Sequence, residues 1–212
     1  MTTPPNWDTV YVPDAAPPPW DIGRPQPALL GLADRGLLSG RLLDAGCGTG
    51  EHTLLAAARG AAATGVDISP RAIARARDKA AERGLQARFE VADVLNLGQL
   101  STTFDTVIDS GVFHVFDDGD RVRYVTSLAG VLRPSGHCYL MCFSDRQPGD
   151  YGPRRVSQDE LRAAFADGWT VTSIEASAFE VNRGSLPVPA ATHPGSLPVP
   201  AAQAWLAAIE RT

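Results

Sequence analysis

The 212-residue chain reads as an α/β protein, with an open, mostly parallel β-sheet covered by helices on both faces in a three-layer sandwich. Two observations predict this. Short apolar segments alternate with helical patterns from Arg41 onward, the signature of repeated β/α units. Helix start and stop residues also fall where those units need them. A 44% hydrophobic and 20% charged composition is that of a globular domain with a full core.

The elements follow in order. Residues 1–26 are rich in proline and predict an extended segment, with an unstructured tail over roughly the first dozen residues and a docking piece at Trp20-Asp21-Ile22-Gly23-Arg24. Pro27 suits the first turn of a helix running through ALLGLADRGLL. Strand RLLDAG (41–46) leads into a Gly-rich turn and the helix EHTLLAAAR, ended by Gly60. Strand AATGVD (62–67) is followed by Ser69 as N-cap and Pro70 at the first helical position, then a helix closed by Gly84. Strands follow at 87–93 and 104–110, with a short helical stretch around 94–102 between them. A helix spans about Asp120 to Leu132, then strand HCYLMCF (137–143). Ser157 and Glu160 form a capping box, and WTVTSIEASAFEV (169–181) reads as a long strand. The segment AAQAWLAAIER at the end reads as a short amphipathic helix.

The formal net charge of −5 disfavours phosphate backbones as partners. Arg71, Arg75, Arg77 and Arg83 recur at helical spacing among acids, which predicts a solvated helix face. Three cysteines without a CxxC pair or a His/Cys cluster predict reduced, buried thiols and no metal site. The first residues lack the features of a signal peptide and no apolar run is long enough for a membrane span, so a soluble, cytoplasmic protein is expected. No motif speaks to oligomeric state. The octapeptide GSLPVPAA at 184–191 recurs at 195–202, which predicts a duplicated loop insertion rather than a solenoid.

Chemistry concentrates at successive strand tips, where open α/β sheets bind ligands. The turn Asp44-Ala45-Gly46-Cys47-Gly48-Thr49-Gly50 lets the backbone bend and places a helix N-terminus beside it. Alone, such a turn suits a dinucleotide, a nucleoside or nothing at all. The dinucleotide fingerprint needs glycine at 51, where Glu51 stands, and there is no Walker lysine. A ligand without phosphates fits better. Asp67 ends the second strand at a distance suited to holding ribose hydroxyls, and Asp93 ends the third, where a carboxylate can accept from an adenine amino group.

The series LLDAGCGTG, GVDIS, VADV and FDTVIDSGVFHVF, then LRPSG, resembles class I S-adenosylmethionine-dependent methyltransferases over residues 41–145. PPWDIGRPQP and GPRRVS further resemble the thiopurine and thiol/halide branch, whose relatives methylate phenols, quinones or heterocycles. The resemblance implies a Rossmann-like, seven-stranded sheet, with residues 27–212 as the methyltransferase domain and residues 1–26 as its lid. It implies S-adenosylmethionine as cofactor and a small molecule, neither nucleic acid nor membrane, as partner. Asp44, Gly46, Cys47 and Gly48 would lie along the methionine part of the cofactor, Asp67 at ribose, and Ile68, Ala92, Asp93 and Val94 around adenine. Asp109 and Ser110 would flank the amino-acid end, while Trp20 and Arg24 would close over it. His114 is the candidate general base for a phenol or thiol, with a packing role as the alternative. Family members add a seventh, antiparallel strand where this chain holds its duplication. Rival readings are a dinucleotide-dependent oxidoreductase and a non-catalytic S-adenosylmethionine-binding protein; a base-methylating enzyme is disfavoured, because DSGVF replaces the Asn/Asp-Pro-Pro-Tyr/Phe pattern.

Overall fold

A computed structural model of the chain describes residues 6–12, 16–149, 152–182 and 201–212. Five helices, α1 (Pro27–Asp34), α2 (Glu51–Ala58), α3 (Pro70–Glu82), α4 (Asp118–Val131) and α5 (Gln158–Ala164), flank one sheet. Its strands are β1 (Arg41–Ala45), β2 (Ala62–Asp67), β3 (Arg88–Val91), β4 (Phe104–Ser110), β5 (Leu132–Phe143), β6 (Trp169–Glu180) and β7 (Ala201–Arg211), in spatial order β3-β2-β1-β4-β5-β7-β6. The first five are mutually parallel, and β7 runs antiparallel between β5 and β6.

Alternation along the strands builds both faces. Leu43, Ala45, Val107 and Leu140 meet Tyr124, Leu128 and Val131 of α4 and Leu161 of α5. Leu42, Ile108, Tyr139 and Met141 turn the other way, onto Leu29 and Leu32 of α1 and Ala56 of α2. Cys47, Cys138 and Cys142 are free thiols, all buried. Among the described residues no helix is long and apolar enough to cross a membrane.

Local chemistry sets most boundaries as expected. Ser69 caps α3 by accepting from the Ala72 amide, and Ser157 and Glu160 form their capping box. α1 is shorter than expected, ending at Asp34, because Gly36 takes a left-handed φ of 73° and its amide turns back to Ala33. α4 starts earlier, at Asp118, since Asp117 accepts from the Asp120 amide and caps it. β5 begins at Leu132, directly after α4. The register against β4 jumps between Phe104/Leu132 and Thr106/His137, so Pro134 falls in a bulge that needs no amide from it.

Two expectations are overturned. AAQAWLAAIER is not a helix but β7. Alanine favours helix, yet all eleven residues here pair with β6 on one side, and residues 204–210 pair with β5 on the other. A sheet interior satisfies that backbone and buries Trp205, Ala207 and Ile209, so tertiary pairing outweighs intrinsic propensity. The antiparallel seventh strand is therefore present. The duplicated octapeptides lie outside the described residues except for Ala201 and Ala202, which open β7 opposite Glu180 and Phe179. The second correction is at the other end. Within the expected unstructured tail, Trp7–Tyr11 forms a 3-10 helix, and Tyr11 is only 4% exposed.

Candidate active site

The Gly-rich turn after β1 is shaped by packing. Gly46 has φ 71°, and a Cβ there would stand 2.2 Å from a methyl carbon of Val112. At Gly48 a Cβ would meet the Tyr11 hydroxyl at 3.2 Å. The space these glycines leave is thus partly taken by the protein itself, not kept only for a ligand.

Asp67, at the tip of β2, receives the Gly48 amide on one oxygen and the Ser69 amide on the other, both at 2.9 Å. The carboxylate is stapled between the turn and the start of α3. Burial raises its pKa while the amides pull it down. Ile68 follows, 52% exposed, an aliphatic side chain left uncovered beside a carboxylate. Asp93 caps the 3-10 turn Val94–Leu100 by accepting from the Leu95 amide at 2.9 Å.

These tips open into a cavity of about 1810 Å³. Of the residues singled out from the sequence, Trp20, Arg24, Gly46, Cys47, Gly48, Asp67, Ile68, Ala92, Asp93, Val94, Ser110 and His114 line it. Asp44 and Asp109 do not. Asp44 is 1% exposed behind the turn: one oxygen accepts from the Thr53 hydroxyl at 2.6 Å, the other has no partner, and burial pushes its pKa up to about 7. Asp109 points into the protein. It accepts from the Val112 amide at 2.7 Å, the Phe113 amide at 3.0 Å and the Tyr124 hydroxyl at 3.0 Å, anchoring the loop that carries Ser110 and His114. Both were expected beside the cofactor; their geometry makes them supports of the cavity wall instead.

The N-terminal segment roofs the cavity. Asp8 accepts from the Ser69 hydroxyl at 2.6 Å and pairs with Arg71, and Arg75 donates to the Val12 carbonyl at 3.1 Å. Farther along, the Trp20 indole donates to Tyr11 at 3.2 Å, Thr49 donates to Asp21 at 2.9 Å, and Arg24 pairs with Glu180. Gln26 exchanges hydrogen bonds with both backbone groups of Glu180. The arginines on and just after α3 do lie on an exposed face, as expected, with only Arg75 half-buried, but each is also tied down: Arg71 and Arg75 hold the roof, Arg77 donates to the Phe89 carbonyl, and Arg83 pairs with Glu51.

That last pair corrects one inference. Glu51 is 7% exposed and compensated by Lys79 at 2.8 Å and Arg83 at 2.8 Å, so it presents no bare negative charge to a pyrophosphate. The phosphate-free reading rests instead on the lining cations. Arg24, Arg123 and Arg154 are paired with Glu180, with Asp120, and with Asp118 and Glu160 respectively.

At the far end the wall turns aromatic. His114 stands edge-on to Phe143 at 5.1 Å and to Phe179 at 6.0 Å, with Val115 and Phe116 beside it. Sequence reasoning missed Trp7, Tyr11, Phe143 and Phe179 in this lining, while Asp21 belongs to the docking piece it expected. Phe143 was the findable one, as the last residue of a parallel strand. Phe179 was not, because its position depends on β6 pairing through β7.

A methyltransferase domain model matches residues 42–136, from β1 to the start of β5. The 2-heptyl-1-hydroxyquinolin-4(1H)-one methyltransferase of Mycobacteroides abscessus is 39% identical over 171 residues, covering 79% of this chain and 75% of that one. The chain belongs to the S-adenosylmethionine-dependent methyltransferases. A probable thiol methyltransferase of Arabidopsis thaliana shares 28% identity over 157 residues, covering 73% and 69% of the two chains. Among solved structures, one described under "Conversion of a Disulfide Bond into a Thioacetal Group during Echinomycin Biosynthesis" is 40% identical with a TM-score of 0.82, covering 96% of the methyltransferase and 91% of that chain. A magnesium protoporphyrin IX methyltransferase from Synechocystis with bound S-adenosylhomocysteine, 21% identical with a TM-score of 0.63, shares the fold. The methyltransferase uses S-adenosylmethionine and acts on small molecules. Its cavity fits that cofactor: a carboxylate and an uncovered aliphatic side chain adjoin at one strand tip, and the lining cations are already paired.

Proposed function

We propose that this methyltransferase alkylates an oxygen, nitrogen or sulfur atom of a flat, acidic aromatic acceptor. The observation that carries the proposal is the cavity's division into two unlike halves. Its volume exceeds the roughly 300–1,000 Å³ of a site for one small ligand, so cofactor and acceptor can share it. In the first half Asp67 would take the ribose hydroxyls, Ile68 and Val94 would cover adenine, and Asp93 would accept from its amino group. Gly46, Cys47, Gly48 and Ser110 would run along the methionine part, beneath Tyr11 and Trp20. In the second half Phe116, Phe143 and Phe179 present ring faces and edges suited to a planar partner. The hydroxyquinolone in the mycobacterial relative's name, a planar heterocycle with an acidic N–OH, supports that choice.

The cofactor supplies a methyl already activated on sulfonium sulfur. The protein's part is to align the acceptor heteroatom with that methyl and keep water out. Alignment of this kind is worth about 7–11 kcal/mol of barrier, and the dry wall suits a reaction in which opposite charges cancel. The roof segment closes one side and its ties to α3 and β6 hold it there.

Titration with S-adenosylhomocysteine and with NADH tests the cofactor half, and a labelled-methyl screen over phenols, N-hydroxy heterocycles and thiols tests the other. Micromolar binding of the thioether with transfer to planar acidic acceptors is expected. Preference for NADH, or binding with no transfer to any member of the panel, would refute the proposal.

A further inference from the structure

His114 was expected as a candidate base, and the geometry around it gives that ring a different task. It sits in the 3-10 turn Phe113–Val115, 6% exposed, at the aromatic end of the cavity. Its Nδ1 accepts a hydrogen bond from the backbone amide of Phe143 at 2.9 Å. A backbone amide only donates, so Nδ1 keeps its lone pair and the neutral ring carries its proton on Nε2. A base needs a free lone pair; this imidazole has none left to offer.

Nε2 borders open space. A Cβ on Gly111 would approach Nε2 and Cε1 at 3.4 Å, so the glycine leaves that edge of the ring uncovered. Among the described residues no protein group accepts from Nε2. The remaining neighbours are the rings of Phe143 and Phe179, and the charged groups acting on it are Arg121 and Arg155, both cationic. Both guanidinium groups oppose an imidazolium there, and Arg121 is itself paired with Glu160 at 3.3 Å. Burial with those cations pulls the pKa of His114 down to about 3.

We propose that His114 recognises the acceptor as an anion, donating its Nε2 proton in a hydrogen bond to the ionised oxygen, nitrogen or sulfur group while accepting no proton itself. The acceptor loses its proton to bulk water before transfer. Its lone pair then forms the new bond to the methyl carbon as the carbon–sulfur bond breaks with its electrons on sulfur. A cation and an anion become two neutral products and the imidazole is unchanged. The inference rests on the acidic-acceptor reading above.

Two measurements test it. In the full-length protein labelled with ¹⁵N-histidine, the His114 ring should show the Nε2–H neutral tautomer from pH 8 down to pH 5; an Nδ1–H tautomer, or titration near 6.5, overturns the proposal whatever the substrate. The second uses 4-nitrophenol and 4-nitrothiophenol, bound beside S-adenosylhomocysteine and followed by the anion's absorbance. Wild type should favour the bound anion about tenfold relative to water, the effect of one charged hydrogen bond. His114→Phe should abolish that preference. His114→Asn, whose carbonyl can accept from Phe143 while its amide donates, should keep most of it. Equal preference in wild type and His114→Phe overturns the inference, as does a loss in His114→Asn equal to that in His114→Phe. Should wild type neither bind nor methylate either probe, the acidic-acceptor reading fails instead, and the ring tautomer is still decided by the first measurement.

Discussion

Replacing Asp44 by asparagine should convert a pH-dependent stability into a flat one. Asp44 is 1% exposed, one oxygen is satisfied by Thr53 at 2.6 Å, and the other has no partner. Desolvation, reinforced by the carboxylates of Asp67 and Asp109, lifts its pKa from 3.8 to about 7. A raised carboxyl pKa means the folded state holds a proton that the unfolded chain has released. The contribution of that proton is full below pH 4 and is lost as pH rises through 7. With 1.36 kcal/mol per pKa unit, wild type should lose about 2.5 kcal/mol relative to Asp44→Asn between pH 5 and pH 8, most of it by pH 7. Other titrating groups are common to both proteins and largely cancel in the difference. Urea denaturation of each at pH 5, 6, 7 and 8 measures it. A difference constant within about 0.5 kcal/mol across that range would refute the reasoning, since Asp44 would then ionise as freely in the fold as in water.

Asp67→Asn should weaken S-adenosylhomocysteine about tenfold to a hundredfold in a calorimetric titration, the value of one or more charged hydrogen bonds, and an affinity within threefold of wild type would remove Asp67 from the ribose site. Tyr124→Phe deletes one of the three donors to Asp109 without opening a cavity, so it should cost about 1 kcal/mol in denaturant melts. Trp205 is 2% exposed and its indole donates to Asp145 and to the Val156 carbonyl, both at 3.1 Å. Trp205→Ala should therefore cost about 3–5 kcal/mol, and a loss below 1 kcal/mol would show that β7 does not hold the sheet together.

The parallel half of this protein was legible in its sequence because its information is local. Strands of four to twelve residues, capped helices and glycines with positive φ repeat in units that each need only their neighbours. Asp67, Ile68 and Asp93 could be placed for the same reason: a strand tip is a strand tip wherever the sheet lies. What residues do after their backbone is placed was not legible. Asp109 lies at the tip of β4 as expected, yet its carboxylate turns inward because two amides and Tyr124, fifteen residues away, converge on it. Glu51 is an acid beside the glycines on paper, but a compensated one in space, because α3 brings Lys79 and Arg83 across to it.

Sequence alone therefore determined the alternating β/α order, the strand tips that bear glycines and acids, and the chemistry those tips suit. Tertiary structure alone decided that an alanine-rich terminal segment is an interior antiparallel strand, that Trp7–Tyr11 folds into a roof, and that Nδ1 of His114 accepts the Phe143 amide. The physical reason is the same in each case. Short-range preferences of about 1 kcal/mol per residue settle local conformation where nothing distant intervenes. They yield when a buried backbone needs partners from both neighbouring strands, or when a single amide from β5 dictates which nitrogen of a ring can hold hydrogen.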